Sequence, residues 1–197
     1  MADVEILLAS GSPRRRELLA AAGVTFTVEA SDVDESVEDS LAPEAVAELL
    51  AVRKARAVAE RHPGRACLVI GSDTIVAVEL DGGWQLLGKP EDARHARTML
   101  DALSGSRHQV VTGVAVVDAR DGATRAGFER TWVTMRTLTE AERVAYVASG
   151  EWQDKAGGYA IQENADAFVT SLEEGGFDNV VGLPVALTLK LLAEAGR

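Results

Sequence analysis

Ile6-Leu7-Leu8-Ala9-Ser10-Gly11-Ser12-Pro13-Arg14-Arg15-Arg16-Glu17-Leu18-Leu19 is the stretch that decides how this chain folds. An apolar run breaks off at Ser-Gly-Ser. A proline and three arginines follow, then an apolar segment that ends at Gly23. The pattern reads as strand, tight loop, helix. Pro13 suits the first helical position, where its missing N–H has no partner to lose, and Ser12 carries the side chain of an N-cap. Such a loop aims unpaired backbone N–H groups, the Ser10 and Ser12 hydroxyls and the Arg14 and Arg15 guanidinium groups at one place. That is anion chemistry, above all for phosphate. An ordinary helix cap beside a solvated arginine face has the same residues, so the stretch alone leaves both readings open. Neither a full Walker motif, Gly-x-x-x-x-Gly-Lys-Ser/Thr, nor the dinucleotide Gly-x-Gly-x-x-Gly spacing occurs.

Working outward, 197 residues fit a single domain spanning 1–197 and can bury a sizeable core. No apolar run reaches the length of a membrane span. The acidic start Met1-Ala2-Asp3-Val4-Glu5 lacks a basic leader. Cys67, the one cysteine, has no internal disulfide partner and reads as a small core residue. These features predict a cytoplasmic protein. A net charge of −11 argues against a nucleic-acid partner or an anionic membrane surface. It also makes the local arginine cluster stand out.

Downstream, Val24 to Ala30 predicts a short strand, followed by the acidic loop Ser31-Asp32-Val33-Asp34-Glu35-Ser36. That loop is either solvated or offers Asp34 or Glu35 to a hard divalent cation. Pro43 to about Arg61 predicts a long helix whose apolar stripe takes in Val46, Leu49, Leu50, Ala57 and Val58. Arg53 and Lys54 interrupt the stripe: either both snorkel to water, or one reaches along the core edge toward an anion. In Ala66 to Val78, two strand-like runs flank the polar tetrad Gly71-Ser72-Asp73-Thr74. A carboxylate at the end of a buried strand needs donors, a metal or a cation. Asp73 is therefore a candidate general base or metal ligand, against the alternative of a turn aspartate capping its own backbone.

Asp81-Gly82-Gly83 signals a hairpin into Trp84–Leu87. Lys89, in Gly88-Lys89-Pro90, is a phosphate contact or an exposed loop lysine. Helices are predicted over Glu91–Leu103, Thr139–Ala148 with a Thr139/Glu142 capping box, and Pro184–Ala195. Gln109–Asp118 reads as a buried central strand and Ala123–Thr137 as a long partly polar one. In Gly150 to Gln162, Gly157-Gly158 permits close backbone approach to a ligand. Trp152 and Tyr159 either stack on something flat or anchor the loop in the core, and the Gln162 amide suits a base edge. His62 and His108 have no ligand-spaced partners, and His95 reads as a surface residue.

Taken together, these stretches resemble the Maf family of nucleoside triphosphate pyrophosphatases, also described as septum-formation inhibitors. The resemblance covers essentially the whole chain. It rests on Ala9-Ser10-Gly11-Ser12-Pro13-Arg14-Arg15, Val33-Asp34-Glu35, Gly71-Ser72-Asp73-Thr74, Gly88-Lys89-Pro90, Ser104-Gly105 with Val111-Thr112-Gly113-Val114, Asp154-Lys155-Ala156-Gly157-Gly158-Tyr159, and Asn179-Val180-Val181-Gly182-Leu183-Pro184, in this order and spacing. It implies an α/β fold with a long twisted mixed sheet flanked by helices, two lobes and a central cleft, similar to the inosine triphosphate pyrophosphatases. It further implies a divalent cation, Mg²⁺ or Mn²⁺, and a homodimer. The form Asp-Lys-Ala-Gly-Gly-Tyr-Ala-Ile-Gln looks like the branch acting on dTTP and UTP. In that branch Arg14, Thr74 and Gln162 fall at positions tied to substrate choice and Asp73 at the proton acceptor. Family members usually carry glycine after the glutamine; here Glu163 stands there.

The expected reaction is hydrolysis of a nucleoside triphosphate between the α and β phosphates. Asp73 and Glu35 would hold the metal, and Asp73 would serve as base. Ser10, Ser12, Arg14, Arg15, Lys54 and Lys89 would offset phosphate charge. The rival expectation is a nucleotide-binding regulator of septum formation without turnover.

Overall fold

The computed structural model describes residues 4–37, 41–162 and 164–196. Seven strands form one mixed sheet: β1 (Glu5–Leu8), β2 (Thr27–Val28), β3 (Cys67–Leu80), β4 (Gly83–Leu87), β5 (Arg107–Asp118), β6 (Thr124–Met135) and β7 (Val169–Glu173). The order is β2-β1-β3-β5-β6-β7, with β4 paired to β3. β1 lies parallel to β2 and β3, whereas β4 and β7 pair antiparallel with β3 and β6. Among the described residues the helices are α1 (Pro13–Ala21), α2 (Pro43–Ala59), α3 (Ala93–Leu103), α4 (Glu140–Ser149), α5 (Phe177–Val181) and α6 (Val185–Ala195). Among the described residues no helix is long and apolar enough to cross a membrane.

The chain forms two compact units. The first comprises Met1–Asp73, Thr112–Glu129 and Gly182–Arg197; the second comprises Thr74–Val111 and Arg130–Val181. In the first unit, side-chain alternation along the strands feeds two cores. Leu7, Val69, Ala115 and Val117 pack with Ala51, Ala55 and Val58 of α2. Leu8, Leu68, Ile70, Val114 and Val116 pack with Leu19, Leu183 and Leu191. Burial on both faces explains why these strands read as nearly continuous apolar runs. Helix α2 lies unusually close to the sheet. A Cβ on Gly71 would fall 2.2 Å from the Ala51 carbonyl oxygen, and one on Gly113 2.2 Å from that of Ala47. The second unit has its own core, in which Val76, Val78, Val110, Val133 and Met135 meet Met99, Leu100 and Leu103 of α3 and Tyr146 of α4. The Thr139/Glu142 capping box is fully formed, and Gly150 ends α4 in the left-handed conformation.

Several expectations are corrected. The polar tetrad does not separate two strands: Gly71-Ser72-Asp73-Thr74 lies inside the single 14-residue strand β3. Strand β2 is only two residues long. Leu49 faces solvent rather than the apolar stripe of α2, at 40 % exposure. Ser12 occupies the N-cap position of α1 but makes no capping side-chain bond. Its backbone N–H donates instead to Ser10 Oγ at 3.3 Å.

Candidate active site

Burial of β1 carries Ser10 into the protein, where 6 % of its surface remains exposed. Pairing continues just past the strand, with Ala9 N–H donating to the Ile70 carbonyl at 2.8 Å. Arg15, one turn into α1, turns back across the loop. Its Nε donates to the Gly182 carbonyl at 2.8 Å and its Nη1 to Ser10 Oγ at 3.4 Å. The Ser72 hydroxyl donates to the same Gly182 carbonyl at 3.1 Å. Burial lowers the Arg15 pKa; the negative charge of Asp73 opposes that shift, neighbouring Arg14 reinforces it, and Glu35 opposes it more weakly. Arg15 is thus held with its fork oriented, which is what bidentate recognition of phosphate requires.

On α2, Lys54 lies on the buried face rather than snorkelling out. Its ammonium pairs with Asp73 Oδ1 and, at 2.7 Å, with Glu35 Oε1. Lys54 and Asp73 side chains are each 9 % exposed, whereas Glu35 is 48 % exposed. Arg53 takes a different part: its Nη1 donates to the Asp34 and Ser36 carbonyls at 2.5 and 3.0 Å, pinning the acidic loop. Asp34 turns its carboxylate onto its own loop, accepting the Ser36 backbone N–H at 2.8 Å and the Ser36 hydroxyl at 2.7 Å. These bonds hold the Asp34 carboxyl below its usual range, the backbone bond contributing most. Of the two acidic candidates, Glu35 therefore reaches the Lys54–Asp73 pair.

The first unit accordingly brings together Ser10, Arg15, Lys54, Asp73 and Glu35. Arg14 is half-buried beside Arg15, and Ser12 is half-buried at the helix start. Gly182 is the residue that sequence reasoning missed. Its carbonyl orients Arg15 from 167 positions away, and only its place in Val-Gly-Leu-Pro hinted at a special role. As donors for a metal, Asp73 and Glu35 supply hard carboxylate oxygens already directed at one cationic centre. Among the described residues, no group of three or more His, Cys, Asp or Glu could complete a cage. A two-carboxylate set suits Mg²⁺ or Mn²⁺, which takes few protein ligands and fills its shell with water and substrate phosphate.

Thr74, Lys89 and Gln162 belong to the second unit. Thr74 is half-buried on β3; Lys89 and Gln162 are exposed. The Lys89 and Gln162 segments are tied together, because Gly157 N–H donates to the Gly88 carbonyl at 2.9 Å. The glycines of this loop serve the protein's own packing. A Cβ on Gly157, at φ 69°, would meet Val76 at 3.0 Å. Trp152 and Tyr159 are core anchors, 9 % and 6 % exposed. The unusual Glu163 lies outside the described residues.

A family model described as "Maf-like protein" matches residues 5–195. A Myxococcus xanthus protein named dTTP/UTP pyrophosphatase is 47 % identical over 191 residues, covering 97 % of this chain and 92 % of its own. One of the same name from Moorella thermoacetica is 48 % identical over 192 residues, covering 98 % and 95 %. A third, from Bacillus cereus, is 45 % identical over 190 residues, covering 96 % and 95 %.

Proposed function

Because the chain belongs to the Maf family, matched over almost its whole length, we propose that it is a dTTP/UTP pyrophosphatase, hydrolysing the triphosphate to the monophosphate and pyrophosphate. The observation that carries this reading is the buried Lys54–Asp73 pair beside an oriented Arg15. On this reading a carboxylate accepts a proton and cations meet phosphate within one unit of the fold.

In this mechanism water attacks the α-phosphorus, and its proton passes to an Asp73 carboxylate oxygen. The bond from the α-phosphorus to the bridging oxygen breaks, and pyrophosphate leaves with that electron pair. Arg15 and the Ser10 and Ser12 hydroxyls face the developing negative charge, with Arg14 beside them. Lys54 holds Asp73 by its ion pair and lends its charge to the same region. Asp73 and Glu35 are the residues that would hold a divalent cation, which supplies positive charge at phosphate oxygens and acidifies water when bound. Thr74, Lys89 and Gln162 are the proposed nucleotide contacts of the second unit, with Gln162 at the base edge.

Product analysis tests the reading. The protein is incubated with dNTPs and NTPs in the presence of Mg²⁺ or Mn²⁺, and pyrophosphate and free phosphate are assayed separately. Equal amounts of pyrophosphate and monophosphate, greatest from dTTP and UTP, are expected. Free phosphate alone would refute attack at the α-phosphorus. Turnover without added metal, undiminished by a chelator, would refute the metal assignment.

A further inference from the structure

Within the second unit, a chain of neutral hydrogen bonds, half-buried at Ser106 and buried at His108 and Tyr159, runs from helix α3 to the Gln162 loop. The Ser106 hydroxyl donates to the Leu103 carbonyl at 2.8 Å. Its oxygen therefore receives the bond from His108 Nδ1, 3.1 Å away. That places the imidazole proton on Nδ1 and leaves Nε2 as an acceptor. The Tyr159 hydroxyl, 2.9 Å from Nε2, is then the donor. The two rings meet edge to face, with centroids 5.6 Å apart. His108 is fully buried. Burial pulls its pKa down to about 4 and pushes that of Tyr159 up, so both stay neutral at physiological pH.

Just before Tyr159 the loop makes the 3₁₀ turn Ala156–Gly158. It is fixed from outside by the Gly157 N–H to the Gly88 carbonyl and by the Ala160 N–H to Tyr146 Oη at 3.2 Å. Tyr159 sits three residues before Gln162, and Gly88 directly precedes Lys89. We infer that His108 and Tyr159 are positioning residues, which hold the Lys89 and Gln162 segments in the geometry that reads the nucleotide. This inference rests on the proposed function. Neither residue touches substrate. They act through a buried bond whose loss leaves an unsatisfied imidazole nitrogen and loosens the loop that follows.

Steady-state kinetics with dTTP, UTP and dCTP, run beside thermal melts, test the inference. Tyr159→Phe deletes one hydroxyl. It is expected to raise KM for dTTP and UTP about tenfold, the size of one lost buried hydrogen bond. The preference over dCTP should fall with it, while kcat stays within a few-fold. His108→Gln keeps an amide acceptor for Tyr159 and is expected to retain most of the preference. If Tyr159→Phe does not fold, the pair His108→Leu with Tyr159→Phe, which removes both polar partners, is read in its place. A lowered melting temperature with KM and base preference unchanged would overturn the inference and assign these residues to packing alone. Gln162→Ala separates the premises. If it is silent, the base assignment fails and the inference falls with it. If it weakens base preference while Tyr159→Phe does not, only the inference fails. Absence of pyrophosphate from wild-type protein would instead refute the proposed function.

Discussion

The two units solve the problem of holding polar groups inside a protein in opposite ways. In the first, charge is buried against charge: Lys54 lies between Asp73 and Glu35, and Arg15 is oriented by the Gly182 carbonyl. In the second, Ser106, His108 and Tyr159 form a neutral chain, and burial keeps the imidazole uncharged. A buried ion pair is poor stabilisation, because desolvation offsets most of the Coulomb gain. Its presence therefore calls for a functional reason, and the proposed phosphate chemistry offers one. A neutral network carries less desolvation cost and fixes geometry, which suits recognition better than catalysis.

The sharpest way to break this contrast is Asp73→Asn. If the charged pair is the catalytic centre, kcat should fall by about 10³, within the range for losing a general base. Stability should fall as well, by about 3 kcal/mol, because Lys54 loses its buried counter-charge and is left with the half-exposed Glu35. Adding Lys54→Met should recover much of that stability in denaturant titrations and none of the activity. Near-wild-type turnover by a well-folded Asp73→Asn protein would remove Asp73 from the chemistry. A somewhat smaller effect is expected from Gly71→Ala. The new methyl would lie 2.2 Å from the Ala51 carbonyl oxygen and 2.6 Å from the Ala55 backbone nitrogen, so α2 must shift. Overpacking against backbone of this kind costs about 3 kcal/mol at the upper end of the usual range. Because α2 carries Lys54, activity should fall together with stability. Full activity at an unchanged melting temperature would show that the close approach is not needed.

That helix also shows where the sequence is legible and where it is not. The strand–loop–helix at Ser10-Gly11-Ser12-Pro13 and the capping box at Thr139 are local signals, written in neighbouring residues, and the fold follows them. The fate of Lys54 is not local. Snorkelling and burial look alike along α2, and what decides is a carboxylate 19 residues away on another element. The break expected in β3 fails for the same reason. Ser72 and Asp73 look like a turn because they are polar, yet they stay in a buried strand because Gly182 and Lys54 satisfy them. Gly71 stands in sequence as the first residue of the polar tetrad, and its role is to admit a helix. Tyr159 and Trp152 left ligand and core readings open, since an aromatic in a glycine loop has the same local appearance in both.

The smallest effect sharpens the contrast from the neutral side and is read in acid. Burial lowers the His108 pKa to about 4, from the ordinary imidazole value of 6.5. Between those values the unfolded chain binds a proton that the folded protein refuses, so stability drops as pH falls through that window. At about 1.4 kcal/mol per unit, the full loss approaches 3 kcal/mol by pH 4. His108→Gln removes the titrating group while keeping a donor and an acceptor. Denaturant titrations of the two proteins should differ by a constant above pH 7. Below pH 6.5 the difference should shift steadily in favour of the variant. Carboxylates with lowered pKa, such as Glu142 at about 2, also lose stabilisation in acid, but they are common to both proteins and cancel in the difference. Parallel curves down to pH 4 would mean that the folded protein takes up the proton as readily as the unfolded chain, and that burial does not keep the imidazole neutral in acid. A widening gap confined to that window would place the acid sensitivity of the second unit in one neutral side chain, while the first unit keeps its charges paired.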